Sequence, residues 1–379
     1  MNNFMIGHVC PSRSWGGLEI NVYRLSLWLK ERGYESVLYG FEDSPLYNAC
    51  QKADLEVRPL NNCSKLSDIK LSLKLARMLK EDRVKFLFSH LNNKFLLVTL
   101  AKILAGNSFF FAYDQHMHVG IDKKDFFHTW MYRHLDYWIT PLPILGRNVV
   151  AKTKVAPEII RVIPHGTDME PFTQKLPDKY ESRKKLKLPI DQIIAGVIGR
   201  IDPQKGQHVL IEAAKKVHDA GFPIHVALIG GNTLNESTGY DQKLHEMTTE
   251  LGLNEYVHFL GHQDEAEYAF AALDIFCMTT GSETYGMVTI EAMASGLPVI
   301  GTNAGGTIDL LDHGRTGYLV TPFDADDLAR QIIACLKNSD ETKKIGSQAR
   351  EEALSKYSKT RQLDLLEDLF VEAQKKGNH

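Results

Sequence analysis

The stretch IIAGVIGR, residues 193–200, is an apolar run that ends in a glycine and an arginine. A helical pattern from Lys205 to Ala220 follows it, and IHVALIGG (224–231) is the next apolar run. Apolar strands separated by amphipathic helices are typical of parallel sheets that are covered on both faces. The same alternation begins at FMIGHV (4–9) and starts anew at residue 193. The sequence therefore predicts an α/β protein with two doubly wound domains.

A polar segment separates the two series of strands and helices. TQKLPDKYESRKKLKLPIDQ (173–192) is charged and interrupted by prolines, which is typical of a hinge or linker. We therefore place the first domain at residues 1–172 and the second at 173–359. Doubly wound domains bind ligands at the carboxyl ends of their strands, so we expect a site in a cleft between the two.

Composition favours an ordinary globular protein. The 379 residues are 44% apolar and 24% charged, and no apolar run approaches the roughly 18 residues of a membrane span. The N-terminus MNNFMIGHVC lacks the pattern of a signal peptide. Five scattered cysteines without a C-x-x-C pair favour reduced thiols over a disulfide framework or a zinc site. We expect a cytoplasmic protein with no nucleic acid partner.

The charge is unevenly distributed. Residues 1–172 contain 22 Lys and Arg against 17 Asp and Glu, a balance of +5, and the remainder has 22 against 30, a balance of −8. Solvated helix faces explain such a difference, and so does a first domain that meets an anionic surface or substrate.

Two glutamates surround a predicted helix start in SETYGMVTIEAMASG. The free backbone N–H groups of Gly286, Met287 and Val288 would form a phosphate site. Carboxylates only accept hydrogen bonds, so hydroxyl groups suit Glu283 and Glu291 better than phosphates do. A nucleotide sugar has a phosphate centre and hydroxyls at both ends. The alternative is that both glutamates simply face solvent.

Two further loops follow predicted strands. In GRIDPQKG, Arg200 and Lys205 would project from the end of a strand, where they could bind a diphosphate. In SWGG, Gly16 and Gly17 would allow a ligand to approach a helix N-terminus closely. Neither G-x-G-x-x-G nor a Walker motif occurs, which argues against a nicotinamide or ATP site.

Together with IPHGTD (163–168), SETYGMVTIEAMASGLPVIGTNAGG (282–306) and GRTGYLVTPFDADDLA (314–329), these motifs give the chain a family resemblance. It resembles family 4 of the retaining glycosyltransferases, which have the GT-B fold. The resemblance implies two Rossmann-like domains facing each other, with the acceptor side in the N-terminal domain and the nucleotide sugar in the C-terminal one. It also implies that the last helix, 360–379, packs back on the first domain.

The resemblance assigns donor binding to Gly16, Gly17, Arg200, Lys205, Gly261, His262, Glu283, Gly286, Met287, Val288 and Glu291. In this assignment Arg200 and Lys205 bind the diphosphate and stabilise the departing nucleotide. Glu283 contacts the transferred sugar and acts with them in catalysis, and Glu291 contacts the ribose. The base lies against the loop from Gly261 to Asp264.

Family members often carry a catalytic histidine at the end of the strand corresponding to SFFFAY (108–113). Here AYDQHMHVG follows, so Asp114, His116 and His118 compete for that place, and we favour His116. His90, in FSH, could also face the acceptor side. Each histidine could instead be a hydrogen-bonded structural residue.

HMH has no acidic or thiol partner at a familiar spacing, so no metal is expected. In DAD (324–326), Asp324 reads as a helix N-cap rather than a metal ligand.

The family resemblance, together with these motifs, implies a retaining, metal-independent hexosyltransferase without a cofactor. The donor would be a nucleoside diphosphate sugar of the UDP or GDP type. The acceptor would be a saccharide or lipid-linked hydroxyl in cell-envelope polysaccharide, lipopolysaccharide or glycolipid synthesis. The departing phosphate would accept the acceptor's proton. Sugar-nucleotide epimerases share this fold, and a non-catalytic sugar-nucleotide sensor is a further alternative.

One predicted helix of the first domain combines lysines with leucines. KLSDIKLSLKLARMLK (65–80) carries Lys70, Lys74, Arg77 and Lys80 beside Leu66, Ile69, Leu73 and Leu79, and KKDFFHTWMYRHLDYW (123–138) mixes basic and aromatic residues. The apolar residues could be core and the bases a solvated face. Alternatively, these segments could attach the protein peripherally to anionic lipid on the inner face of the cytoplasmic membrane.

Overall fold

The computed structural model describes residues 4–61, 68–231 and 239–377. The chain forms two compact units, one from Met1–His165 with Lys359–His379 and the other from Gly166–Ser358. The division falls before the expected boundary near Phe172. The reason is that Phe172 is buried and its ring centroid lies 5.5 Å from that of Phe270, in the second unit.

The first unit contains a parallel sheet of seven strands in the order β3-β2-β1-β4-β5-β6-β7. The strands are β1 Met5–Val9, β2 Ser36–Gly40, β3 Glu56–Pro59, β4 Val84–Ser89, β5 Phe110–Asp114, β6 Tyr137–Thr140 and β7 Ile160–Val162. Gly7 of β1 pairs with Val37 on one side and with Leu87 on the other. The strand order therefore reverses between β1 and β4, where ligands of doubly wound sheets bind.

Six helices connect these strands: α1 Gly17–Glu31, α2 Pro45–Lys52, α3 Asp68–Glu81, α4 Phe95–Leu104, α5 Phe126–Tyr132 and α6 Pro143–Lys152. Local signals fix several of their ends. The Ser44 side chain accepts a hydrogen bond from Tyr47 N at the start of α2, and Pro45 occupies the first helical position. Gly33 adopts a positive φ directly after α1, as a helix stop requires.

Helix α3 corrects one expectation about core residues. Leu71, Leu75 and Leu79 are buried, whereas Ile69 and Leu73 are 65% and 53% exposed. The buried residues recur every four positions and face the neighbouring helix α4, so the positions between them face outward. The expectation for Leu66 falls outside the described residues.

The second unit contains a parallel sheet of six strands in the order β10-β9-β8-β11-β12-β13. The strands are β8 Ile194–Ile198, β9 His225–Ile229, β10 Val257–Gly261, β11 Ile275–Met278, β12 Val299–Thr302 and β13 Tyr318–Val320. The helices are α7 Lys179–Lys185, α8 Gln207–Asp219, α9 Tyr240–Glu250, α10 Ala266–Ala272, α11 Met287–Ala294, α12 Thr307–Leu310, α13 Ala325–Lys337 and α14 Ser339–Lys356. This order reverses between β8 and β11.

The polar segment before β8 is folded onto the second unit and is not a free linker. Asp178 caps α7 by accepting a hydrogen bond from Tyr180 N, and Arg183 of α7 is buried. The Arg183 side chain donates to the carbonyl oxygen of Ala272 and, at 2.6 Å, to the carboxylate of Asp274. Charged residues therefore attach this segment to the domain, which its composition does not reveal.

The last helix, α15 Lys359–Gly377, belongs to the first unit. Leu366, Leu369 and Phe370 are buried in a cluster with Ile6 of β1 and Phe86 of β4. The ring centroids of Phe370 and Phe86 lie 4.8 Å apart in an edge-to-face arrangement. The end of the chain thus completes the core beneath the first strands.

Cys10, Cys50, Cys277 and Cys335 carry free, buried thiols, and Cys63 lies outside the described residues. Among the described helices, none is both long and apolar enough to span a bilayer.

Candidate functional site

The carboxyl ends of β8 and β11 bring together two of the predicted residues of the second unit. Lys205 lies in the loop after β8, and Glu283 lies in the loop after β11. Lys205 Nζ is 2.7 Å from Glu283 Oε2, and the two side chains are 27% and 19% exposed. Glu283 Oε1 also accepts a hydrogen bond from Thr284 N. The two residues, 78 positions apart, form a partly desolvated ion pair where the strand order reverses.

Backbone contacts hold Lys205 in this position. The Thr279 hydroxyl donates to the Lys205 carbonyl oxygen at 2.7 Å, and Gly281 N donates to Gln204 O at 3.1 Å. Gly206 has φ +69°, and a Cβ there would lie 2.2 Å from Thr279 O. Only glycine fits this approach, so the last residue of the motif GRIDPQKG fixes the loop to the end of β11.

Glu283 is held by the glycines that follow β12. Gly306 N donates to Glu283 O at 2.6 Å, and a Cβ on Gly305 would lie 2.2 Å from the same oxygen. The carboxylate is therefore positioned by its own backbone as well as by Lys205. The motif NAGG thus holds Glu283 in place.

The start of α11 lies directly after this loop. Gly286 is the N-cap residue with φ +84° and, as a glycine, supplies no side-chain cap to the helix. The backbone N–H groups of the first turn, at Met287 and Val288, are consequently available to an anion. Glu291 is half-buried one turn further along the same helix.

The other predicted donor residues lie at the same edge of the sheet. The Arg200 side chain is exposed, its guanidinium lies 3.9 Å from Asp202, and its carbonyl oxygen accepts a hydrogen bond from Gln207. Gly261 ends β10, and its carbonyl oxygen accepts from Gly230 N at 2.8 Å. His262 follows it and is exposed.

Asp324 is a helix cap, as the sequence indicates. Its carboxylate accepts a hydrogen bond from Asp327 N at 2.9 Å, and α13 begins at the next residue.

In the first unit, Gly16 and Gly17 begin α1. Gly16 N donates at 2.9 Å to the carboxylate of Glu19, which also accepts from the Ser12 hydroxyl. A Cβ on Gly17 would meet no atom within 4 Å. The surrounding protein thus leaves open space at Gly17, where the N-terminus of a long helix attracts anions.

Three histidines contact Asp114 at the carboxyl ends of the first unit's strands, and a fourth contacts one of the three. His90 Nδ1 and His116 Nε2 lie 3.2 Å and 3.3 Å from Asp114 Oδ2, and His165 Nε2 lies 3.1 Å from Asp114 Oδ1. His8 Nδ1 lies 3.2 Å from His90 Nε2. We name these five residues the histidine cluster.

The cluster has unusual protonation. Burial lowers the pKa of His116 to about 4, although the carboxylate of Asp114 opposes this shift. Burial alone would raise the pKa of Asp114, but the interactions with His165 and His116 hold it well below its usual range. Burial lowers the pKa of His8 as well. At neutral pH, Asp114 is therefore ionised and His116 is neutral.

The structure thus combines three of the four candidates of the first unit: His90, Asp114 and His116. His118 is half-buried and makes no described contact with Asp114. His8 and His165 were missed, although each occurs in a stretch that the sequence analysis identified, FMIGHV and IPHGTD. Their positions near the ends of β1 and β7 were the available signal. The fold also supplies the acidic partner that HMH lacks in sequence.

The comparisons with known families cover almost the whole chain. Residues 15–171 match the model of Glycosyltransferase Family 4, and residues 178–352 match the model of glycosyl transferases group 1.

Curated relatives match the chain over about half of its length. D-inositol 3-phosphate glycosyltransferase of Stackebrandtia nassauensis is 32% identical over 184 residues, which is 46% of this chain and 40% of the relative. Sulfoquinovosyl transferase SQD2 of Arabidopsis thaliana is 30% identical over 227 residues, which is 59% of this chain and 42% of the relative. The chain thus spans less than half the length of these two relatives.

Solved structures share the fold over nearly the full chain. A glycosyltransferase from Rickettsia africae has a TM-score of 0.89 at 20% identity and covers 99% of this chain and all of its own. HepE of Anabaena, solved in complex with UDP, has a TM-score of 0.85 at 23% identity and covers 97% of this chain and all of its own. With two parallel Rossmann-like sheets and two matching family models, the chain belongs to the glycosyl transferases group 1 family and has the GT-B fold.

Proposed function

We propose that the protein transfers a hexose from a nucleoside diphosphate sugar to an acceptor hydroxyl and retains the anomeric configuration. The observation that carries this proposal is the Lys205–Glu283 pair beside the uncapped start of α11. A cation, a carboxylate and free backbone amides at one strand edge match the diphosphate and the hydroxyls of such a donor.

Different groups of the second unit bind different parts of the donor. Lys205, Arg200 and the amides of Met287 and Val288 bind the diphosphate, and Glu283 binds the hydroxyls of the transferred sugar. The ribose meets Glu291, and the base meets Gly261 and His262. The protein's own groups offset the phosphate charge, so donor binding needs no divalent ion. The complexes of HepE with UDP and with UDP-glucose make a uridine nucleotide the first donor to test.

The first unit supplies the acceptor side. Without a bound ion, Asp114 accepts a hydrogen bond from Nε2–H of neutral His116, so Nδ1 of His116 is a hydrogen-bond acceptor that can orient a sugar hydroxyl. Gly17 leaves room for the donor phosphate, half-buried His118 lines the acceptor side, and buried His90 holds Asp114 behind it. The departing phosphate accepts the acceptor's proton, so catalysis consists mainly of positioning and charge stabilisation.

A donor screen with and without acceptors tests the activity. Saccharides and lipid-linked saccharides serve as acceptors, and UDP, GDP and ADP sugars serve as donors. We expect nucleotide release that depends on acceptor, and NMR of the product should show the donor's anomeric configuration. A new sugar nucleotide formed without acceptor would instead indicate an epimerase. Binding without turnover would indicate a sensor, and an inverted product would contradict retention.

Removing either cation should slow the reaction. Lys205→Ala and Arg200→Ala should each lower kcat/KM by ~10²-fold or more, because charge that develops on the departing diphosphate loses its partner. Lys215→Ala is the matched control, since Lys215 lies on the following helix and pairs with Asp219 at the surface. Near-normal kinetics of folded Lys205→Ala would exclude a role at the diphosphate.

The two glutamates should affect different parts of the donor. In a buffer with EDTA, Glu291→Gln should weaken binding of free UDP in calorimetry by ~10-fold, the value of one hydrogen bond to a charged group. Glu283→Gln should leave that affinity near wild type but reduce discrimination between donor sugars. The reverse pattern would exchange the two assignments, and loss of UDP binding in EDTA would show that the donor needs a metal.

We propose further that the first unit contacts an anionic lipid surface, where a lipid-linked acceptor resides. Phe126 is 85% exposed, and with Met117, Ile121 and Phe127 it forms an exposed apolar surface near Lys124. Helix α3 adds exposed Ile69 and Leu73 beside basic residues. In a doubly wound sheet, each helix begins at the edge where the preceding strand ends. The exposed residues before and at the start of α5 and those at the start of α3 therefore lie at the edge of the sheet that carries the histidine cluster. We name them together the apolar-basic face.

Vesicle sedimentation tests this contact. The protein should pellet with phosphatidylglycerol vesicles at low salt but not with phosphatidylcholine vesicles, because each basic residue adds ~1 kcal/mol of attraction. Phe126→Ser combined with Leu73→Ser should reduce pelleting, whereas Leu104→Ser, which removes another exposed apolar side chain, should not. Equal pelleting with neutral lipid, or none at low salt, would contradict the contact and favour a soluble acceptor.

A further inference from the structure

Three atoms of the histidine cluster form a nearly equilateral triangle. His90 Nδ1 and His116 Nε2 lie 3.2 Å and 3.3 Å from Asp114 Oδ2, and the two nitrogens lie 3.3 Å from each other. All three side chains are buried almost completely, with 0%, 5% and 6% exposure for His90, Asp114 and His116. The triangle therefore faces protein on most sides.

Hydrogen bonds alone do not account for this triangle. Oδ2 of the ionised Asp114 only accepts, and each nitrogen of a neutral imidazole either donates or accepts. If both nitrogens carry protons, two donors face each other at 3.3 Å. If either one lacks its proton, two acceptors face each other across an edge of the triangle. No combination of neutral tautomers therefore satisfies all three contacts.

A cation in front of the triangle satisfies all three atoms at once. Tetrahedral ligands at bond lengths of roughly 2.0–2.1 Å lie roughly 3.3–3.4 Å apart, close to the spacing observed here. We propose that His90, Asp114 and His116 bind a divalent transition-metal ion of the zinc type. The fourth position of the tetrahedron is left for water or a ligand.

The surrounding residues support the same ligand set. His165 Nε2 lies 3.1 Å from the second oxygen of Asp114, and His8 Nδ1 lies 3.2 Å from the second nitrogen of His90. Such outer contacts orient metal ligands in proteins. Among the described residues, the ion-pair partners of Asp114 are all histidines, so no lysine or arginine offsets this buried carboxylate. A bound cation would do so.

The donor types select the metal. Two imidazole nitrogens and one carboxylate oxygen suit zinc, cobalt or nickel, whereas magnesium and calcium prefer oxygen ligands throughout. His90 follows the end of β4, and Asp114 and His116 lie at and just after the end of β5. Because β4 and β5 are adjacent strands, the sheet brings these three side chains together before a metal ion binds. This inference requires no donor, but it shares His116 with the proposed function: when Nε2 of His116 binds the ion, Nδ1 carries the proton and donates a hydrogen bond to a sugar hydroxyl instead of accepting one.

Direct binding measurements test the site. Full-length protein is stripped with EDTA, dialysed and titrated calorimetrically with ZnCl₂, and CoCl₂ is added separately to record the visible spectrum. We expect one zinc ion per chain in this site and an intense cobalt spectrum of tetrahedral type. Asp114→Asn and His116→Gln should each abolish this binding. His165→Gln, which changes only an outer contact, should weaken it by ~10–100-fold.

Two control variants separate this site from other histidines. His118→Gln changes the other histidine of HMH and should leave zinc binding unchanged. His225 and His258 form a more exposed pair with nitrogens 3.0 Å apart, and His258→Gln should also leave the cluster's zinc bound.

The proposal is wrong if folded Asp114→Asn and His116→Gln, checked by circular dichroism, bind zinc as the wild type does. It is also wrong if His258→Gln removes all binding, or if the wild type binds no zinc. Zinc affinity should be abolished when a ligand is substituted and only weakened when His165, an outer contact, is substituted. This difference distinguishes metal binding from a purely structural cluster. A protein that binds zinc but transfers no sugar would leave this site standing and reject only the proposed function.

Discussion

The ion pair between Lys205 and Glu283 connects the two loops on which the candidate donor site depends. These loops come from strands that are adjacent in the sheet but far apart in the chain. Partly exposed ion pairs contribute only about 0.2–1 kcal/mol, so this pair adds little to the stability of the fold. The pair matters because of its position. It lies where the strand order reverses, which is where doubly wound sheets bind ligands, and it lies beside the start of α11. In the proposed function, the cation and the carboxylate would separate, and each would bind a different part of the donor.

The first unit repeats this arrangement with different chemistry. Its strand order also reverses between its first and fourth strands, and the same edge carries one buried carboxylate, three imidazoles that contact it and a fourth that contacts His90. Where the second unit has an ion pair between a lysine and a glutamate, the first has a buried carboxylate surrounded by imidazoles. The two sheets thus share one strand order, but they carry different side chains at the point where that order reverses.

The sequence predicted the features that depend on local pattern. The apolar runs marked the strands, and the glycines marked the turns and the start of α11. The features that it did not predict depend on contacts over long sequence distances. Arg183 attaches the supposed linker to Asp274, and periodicity alone did not show which apolar residues of α3 face its neighbour. The histidine cluster combines β1, β4, β5 and β7, and composition at any one of these strands gives no sign of the others. Motif resemblance supplied the donor residues, but not the role of His8 or His165.

A crystal structure with a bound nucleoside diphosphate tests the central claim most directly. The account predicts phosphate oxygens within hydrogen-bond distance of Lys205 Nζ and of the backbone N–H groups of Met287 and Val288. It also predicts that the ribose hydroxyls meet Glu291. A diphosphate bound elsewhere, with the Lys205–Glu283 pair unchanged, would contradict it.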